Sequence, residues 1–167
     1  MAKLSRRSFT FGSLLLGLGT ATGLVSEAEA ATVVRYRGKA RPGTIVVRTG
    51  QRRLYYVLPG GKAVRYKVGV GRAGRQWAGR TRVARKAVNP SWINPFDRSK
   101  KVIPPGPRNP LGPRALVLAH GQYAIHGTNN SRSIGGAVSL GCIRMYNRDI
   151  HDLYRRARIG TPVVVTR

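Results

Sequence analysis

The chain has 167 residues, of which 31 are basic and 5 acidic, for a formal net charge of +26. That length fits one domain, and 21 glycines with 10 prolines argue against a helical bundle and for strands joined by turns. A single cysteine excludes an intrachain disulfide. The charge implies an anionic partner, whether nucleic acid, an anionic polymer or a membrane, or else a solvated basic surface.

Residues 1–30 read as a targeting leader and stay outside fold reasoning. Ser5-Arg6-Arg7-Ser8-Phe9 resembles a twin-arginine export signal. The apolar run from Phe11 to Val25 is shorter than the ~20 residues that span a bilayer. Ala28-Glu29-Ala30 offers a cleavage site that leaves Ala31 first. The leader has no cysteine, so no lipoprotein-type anchor is expected. Lys3, Arg6 and Arg7 nearly balance Glu27 and Glu29, so the basic excess belongs to the rest of the chain.

Residues 31–43 form a basic arm, expected to be loosely ordered ahead of a domain spanning 44–167. Three strands are predicted at hairpin spacing, over Thr44 to Arg48, Arg53 to Leu58 and Ala63 to Val70. Turns at Thr49-Gly50-Gln51 and Pro59-Gly60-Gly61 separate them. No helical pattern intervenes, which predicts antiparallel pairing. Gly71 to Arg80 reads as a loop carrying Trp77, and Arg82 to Val88 as a further strand. Residues 89–114 are a long connection rich in Pro and Gly. Loops of that length are usually functional or disordered. Trp92 and Phe96 would anchor an ordered flap beside a site, or simply cap the core. Ala115 to Ala119 and Gln122 to Ile125 predict a hairpin around His120-Gly121, with His126 at its end. His120 reads as a turn residue.

A helix follows near the C-terminus. Asn147 is its predicted N-cap, with Asp149 and Asp152 in the first turn. Ile150, Leu153, Tyr154 and Ala157 share one face. His151 is expected on the exposed side, and Gly160 as the C′ residue. Pro162 to Thr166 reads as a closing strand. The fold class is mainly β: an antiparallel β-sandwich or partly open barrel with one helix.

The chemistry concentrates between Tyr123 and Met145, in Y-A-I-H-G-T-N-N-S-R-S-I-G-G-A-V-S-L-G-C-I-R-M. The thiolate is the reactive form of cysteine, so a catalytic Cys142 needs a base or a positive field beside it. His126 can take the proton. Gly141 permits a tight turn that aims backbone N–H groups at an oxyanion. The other reading is a buried thiol and a core histidine in a glycine-rich loop. Arg144 falls on the side of Cys142 if the segment is extended, and suits a carboxylate or a structural salt bridge. His120, His126 and Cys142 lack metal-ligand spacing, and neither a phosphate-cradling loop nor a dinucleotide fingerprint is present. No metal and no cofactor are expected.

The string I-H-G-T followed by S-L-G-C-I-R-M resembles the active-site signature of the YkuD-type L,D-transpeptidases. Arg85 to Trp92 and Val102 to Gly112 extend the resemblance, which covers roughly residues 44 to 166. It implies a cysteine enzyme that acylates itself with peptidoglycan stem peptides, with Cys142 as nucleophile, the single helix following it, and His126 as base. It also implies that the carbonyl of Gly127 orients the imidazole, and that Ser139, Leu140 and Gly141 shape the oxyanion turn. Tyr123, Trp92 and Arg144 are the candidates for substrate contact. Leu140 stands where the family often has histidine. The acceptor implied is another stem peptide, giving a 3–3 cross-link, or an envelope protein. Hydrolysis of the same bonds and a non-catalytic wall-binding module are the alternatives. No specific nucleic acid is expected; electrostatic contact with anionic envelope polymers or membrane is. The expected location is the periplasm or cell envelope.

Overall fold

A computed structural model describes residues 31–94 and 98–167. The leader reading at 1–30 and the anchor reading at Phe96 lie outside the described residues. Twelve strands and one α-helix follow in order: β1 (Thr32–Arg35), β2 (Ile45–Arg48), β3 (Arg53–Leu58), β4 (Lys62–Gly71), β5 (Gly79–Val88), β6 (Trp92–Ile93), β7 (Val102–Ile103), β8 (Arg114–Leu118), β9 (Ala124–His126), β10 (Ala137–Ser139), β11 (Ile143–Met145), α1 (Asn147–Arg156) and β12 (Pro162–Thr166). The chain is mainly β, as its turn-rich composition predicts.

The main sheet closes on itself. From β4 it runs through β11, β9, β8, β5, β12, β2 and β3, and β3 pairs again with β4. Closure removes the unpaired edges that an open sheet would present. β4 makes this possible because it has ten residues and serves several partners. Its first half pairs β3 and β1, and its second half pairs β11 and β10. The three strands predicted at hairpin spacing do pair antiparallel, β2 with β3 and β3 with β4; elsewhere β12 runs parallel to β2, β11 to β9 and β10 to β4. The arm is corrected too, since β1 pairs with β4 from Thr32↔Arg65 to Arg35↔Lys62.

The core fills the closed sheet. Ile45, Val47, Leu54, Tyr66, Val68, Leu116, Ile125 and Met145 belong to one buried cluster with Ile150, Leu153 and Ala157 of the helix end. Tyr66 donates its hydroxyl to Asp152 at 2.7 Å, and Arg156 pairs with the same carboxylate at 3.0 Å. The carboxylate's acceptor bonds tie α1 to the sheet through a side chain that is otherwise buried.

Both helix ends differ from the expected caps. The N-cap is Tyr146, without a side-chain cap bond. Asn147 instead accepts the Thr128 N–H on its Oδ1 at 2.8 Å. At the C-terminus Ala157 is the cap, and Gly160, at φ +88°, lies in the turn beyond. Lys86 of β5 donates to the carbonyls of Tyr154 and Ala157 at 2.6 and 2.7 Å. A cation there satisfies the orphan carbonyls and complements the helix dipole. Such a cap comes from a distant strand, which local sequence cannot show. His151 is half-buried rather than exposed.

Among the described residues no helix is long and apolar enough to cross a membrane.

Candidate active site

Two short strands bring the candidate residues together. β9 and β11 pair in parallel, with Ile143 opposite Ile125 and Arg144 opposite His126. Side chains alternate across a strand. Ile125, Ile143 and Met145 therefore enter the core, where they are buried. Ala124, His126, Cys142 and Arg144 share the other face and line one cavity of about 450 Å³. Ser139, Leu140 and Trp92 line it as well. Among the described residues no acidic side chain does.

His126 is buried, at 4% exposure. Its Nδ1 lies 2.6 Å from the Gly127 carbonyl. A carbonyl can only accept, so Nδ1 carries the hydrogen and Nε2 is left as the basic atom. Burial pulls the imidazole pKa down to about 4, against the opposing pull of the Gly127 carbonyl, and the Arg144 charge lowers it further. Gly127 has no room for a side chain: a Cβ would meet Asn147 Oδ1 at 2.5 Å and Pro113 Cδ at 3.0 Å. The close approach keeps the carbonyl against the ring.

Cys142 is half-buried, and its Sγ lies 4.0 Å from the Gln122 carbonyl. Burial raises the thiol pKa above its ordinary value, while the Ala124 backbone and the Arg144 charge pull it down. Thiol and imidazole are thus both neutral near pH 7. The guanidinium of Arg144 is shared by both groups electrostatically, and its buried Nε has no hydrogen-bond partner.

The turn before Cys142 is held by side chains. Ser139, 1% exposed, donates its hydroxyl to the Cys142 carbonyl at 2.6 Å and accepts the Gly141 N–H at 3.1 Å. Gly141 sits at φ +124°, a conformation that glycine adopts readily and other residues rarely do. Its carbonyl accepts the indole N–H of Trp77 at 3.0 Å. Trp77 stacks on Tyr123 with centroids 5.1 Å apart and planes 7° apart, and His120 closes the group at 5.3 Å from Trp77. Tyr123 therefore braces the turn and does not line the cavity. Leu140 stands at the cavity rim, 36% exposed.

The long connection is ordered where it is described. Asn109, 1% exposed, donates from Nδ2 to the carbonyls of Pro90, Ile103 and Pro104, and its Oδ1 accepts the Leu111 N–H. This holds the β6–β7 ribbon, and with it Trp92 and Ile93, over the cavity.

Several of these residues escape sequence reasoning. Trp77 is visible as a tryptophan in a polar loop, but its partner Gly141 is 64 positions away. His120 looks like turn punctuation. Asn109 carries no local signal beyond lying among prolines. Among the described residues no cluster of His, Cys, Asp and Glu could hold a metal ion.

Residues 42–165 match the family model described as YkuD, L,D-transpeptidase catalytic domain. "Probable L,D-transpeptidase ErfK/SrfK" of Escherichia coli strain K12 is 38% identical over 136 residues, covering 72% of this chain and 43% of that protein. "Probable L,D-transpeptidase YbiS" of the same strain is 36% identical over 134 residues, with 71% and 43% covered. The chain spans less than half the length of these relatives. Among solved structures, L,D-transpeptidase 3 from Mycobacterium tuberculosis with a faropenem-derived adduct aligns at a TM-score of 0.61 and 17% identity, over 74% of this chain and 60% of that one. The catalytic domain of Enterococcus faecium L,D-transpeptidase acylated by ertapenem aligns at 0.60 and 18%, over 77% of this chain and 100% of that one.

Proposed function

The chain belongs to the L,D-transpeptidase catalytic-domain family, and on that premise we propose an exported cysteine acyltransferase that acts on peptidoglycan stem peptides. Cys142 is the nucleophile and His126 the general base. The observation that carries this reading is the shared face of β9 and β11, where His126, Cys142 and Arg144 open into one cavity.

The reaction follows from the protonation states. The thiol proton passes to His126 Nε2 as Sγ bonds to the carbonyl carbon of the third stem residue, a diaminopimelate centre. The Gly141 N–H is engaged by Ser139, so the amides of Leu140 and Cys142 are the candidate oxyanion donors. The tetrahedral carbon expels terminal D-Ala, whose nitrogen takes the proton from His126. An acceptor amine then attacks the thioester, and the departing thiolate regains a proton. A second stem peptide as acceptor gives a 3–3 cross-link, and a protein amine gives envelope anchoring. The signal at Ser5 to Phe9 supports twin-arginine export to the periplasm or envelope.

The test is acylation. Purified protein incubated with a carbapenem should gain that compound's mass, and Cys142→Ser should not. An adduct that survives in Cys142→Ser moves the chemistry to another residue. Mass spectrometry of muropeptides after incubation then names the acceptor: dimers for transfer, tripeptides for hydrolysis. Trapping of the precursor in the cytoplasm by Arg6→Lys with Arg7→Lys checks the export route.

A further inference from the structure

Arg144 is not the only cation in the cavity. Arg85 of β5 lines the same space, on the far side from Arg144. Neither side chain has a salt bridge or hydrogen bond among the described residues. Guanidinium groups are usually satisfied by carboxylate or phosphate when they face a cleft. Here the walls between them are apolar, with Trp92, Ile93, Leu111 and Leu140, and among the described residues no acid lines the cavity to neutralise them. The missing anions must come with the ligand.

The ladder registers give the spacing. Arg85 lies opposite Val117, Val117 opposite Ala124, and Ala124 beside Cys142, one residue before the Ile125↔Ile143 pair. Arg85 and the nucleophile therefore occupy one row across four strands. Three interstrand steps of ~4.8 Å put their backbones about 14 Å apart. A carboxylate about two extended residues, or ~7 Å, from the scissile carbonyl meets the Arg85 side chain partway. Arg144 lies one strand position past Cys142's neighbour and opposite His126, beside the reacting atoms. A carboxylate on the leaving group falls to it.

We propose that Arg85 is a specificity-determining substrate residue, and that Arg85 and Arg144 together select an acyl donor carrying carboxylates on both sides of the scissile amide. This rests on the acyl-transfer reading above. The distal carboxylate has two sources in a stem peptide: the side-chain end of the third residue and the α-carboxyl of the second. In either case the donor is the free acid, and its carboxamide is a poor substrate.

The experiment uses synthetic tetrapeptide donors in three forms: all free acids, amidated at the third residue's side chain, and amidated at the second residue's α-carboxyl. The readout is kcat/KM for D-Ala release. Wild type should prefer the free acid to one amidated form by at least about tenfold. Arg85→Gln should reduce that ratio to about threefold or less by slowing the free acid alone, and Arg85→Lys should restore part of it. The amidated form that loses its handicap identifies the carboxylate. A structural role for Arg85 would lower all donors in proportion, and that result overturns the proposal. So does a wild type that takes all three within about threefold. Calorimetric binding of the same peptides to Cys142→Ala reads selection without turnover. Selective binding without D-Ala release would sink the acyl-transfer reading alone. Turnover without selection would sink only this proposal.

Discussion

Gly141→Ala tests whether the turn before Cys142 is an instrument of the chemistry or merely a place where the chain bends. Two costs follow from the structure. At φ +124° an L side chain is strained, which costs about 1–3 kcal/mol. The new Cβ also overlaps the Tyr123 ring, with Cδ1 only 3.0 Å away. That ring cannot retreat freely, because Trp77 stacks on it with centroids 5.1 Å apart. Overpacking of this kind costs about 1–3 kcal/mol more. The sum, about 2–6 kcal/mol, is a large part of an ordinary domain's stability. At ~2–4 °C per kcal/mol, thermal melting should fall by about 4–24 °C. Relief of the overlap displaces the Gly141 carbonyl from Trp77 and the Leu140–Cys142 amides from their aim. Misplacement by ~1 Å can reduce rate by about 10²-fold. Carbapenem acylation, followed by mass spectrometry at a temperature where circular dichroism shows folded protein, should drop by at least that factor. Gly160→Ala is the control: φ is +88°, but a Cβ there meets nothing within 4 Å. It should cost only the left-handed backbone term, about 1–2 kcal/mol, and leave acylation within about threefold. If Gly141→Ala acylates as fast as Gly160→Ala, turn geometry is not part of the mechanism.

Three further outcomes are expected. His126→Ala should slow acylation by at least about 10²-fold, whereas Leu140→Ala should cost no more than about tenfold, ~1.4 kcal/mol; an inactive wild type rescued by Leu140→His would overturn the assignment of His126 as sufficient base. His126 stays neutral when folded, with a pKa of about 4, so its contribution to stability is complete above the unfolded value near 6.5 and is lost as pH falls toward 4. Asp149 is opposed: burial raises its pKa to about 6, so its contribution is complete below about 3.8 and is lost as pH rises through 6. Asp149→Asn should therefore steepen the loss of stability between pH 6.5 and 4 in urea melts, and an unchanged slope would refute the pairing. Asn109→Ala removes the buried amide that bonds the carbonyls of Pro90, Ile103 and Pro104, costing about 1–3 kcal/mol; limited proteolysis should cut between residues 89 and 114 faster than in wild type.

Much of the fold is legible because local pattern and burial agree. The alternation in β4 and the turn signals around β3 mark strands whose inward residues, such as Leu54, Tyr66 and Val68, are fully buried. The α1 face of Ile150, Leu153 and Ala157 is equally plain. What escapes is nonlocal. The parallel partners of β9, β10 and β12 depend on chain return, not on composition. The strands β10 and β11 have three residues each, too few for a period to show. In the site, the signature string locates Cys142 and His126. Trp77, which supports the turn, and Asn109, which holds the β6–β7 ribbon, act through hydrogen bonds to backbone carbonyls, and any polar side chain of the right reach is a candidate for those. Tyr123 lies inside the signature, yet alternation puts it on the face opposite Ala124 and His126, where its ring packs against Trp77 behind the turn.

In the proposed reaction the protonation states give Arg144 a part in both halves of the chemistry. Burial disfavours charge on Cys142 and on His126 alike, so the resting pair is thiol and neutral imidazole. A ready-made thiolate–imidazolium pair would be a standing target for oxidants and alkylating agents, because the thiolate is the reactive form. Arg144 lowers the pKa of both groups. It stabilises the thiolate but works against the imidazolium, so it does not by itself favour the ion pair. Its net effect appears when negative charge moves off sulfur onto the carbonyl oxygen and the leaving group. On the proposed mechanism proton transfer is concerted with attack, and the cation meets a substrate carboxylate instead of an idle thiolate. Arg144→Gln should therefore slow acylation while leaving the resting thiol protonated at pH 7. An ultraviolet thiolate signal that appears at neutral pH in Arg144→Gln would contradict this, since removing the cation can only raise the thiol pKa.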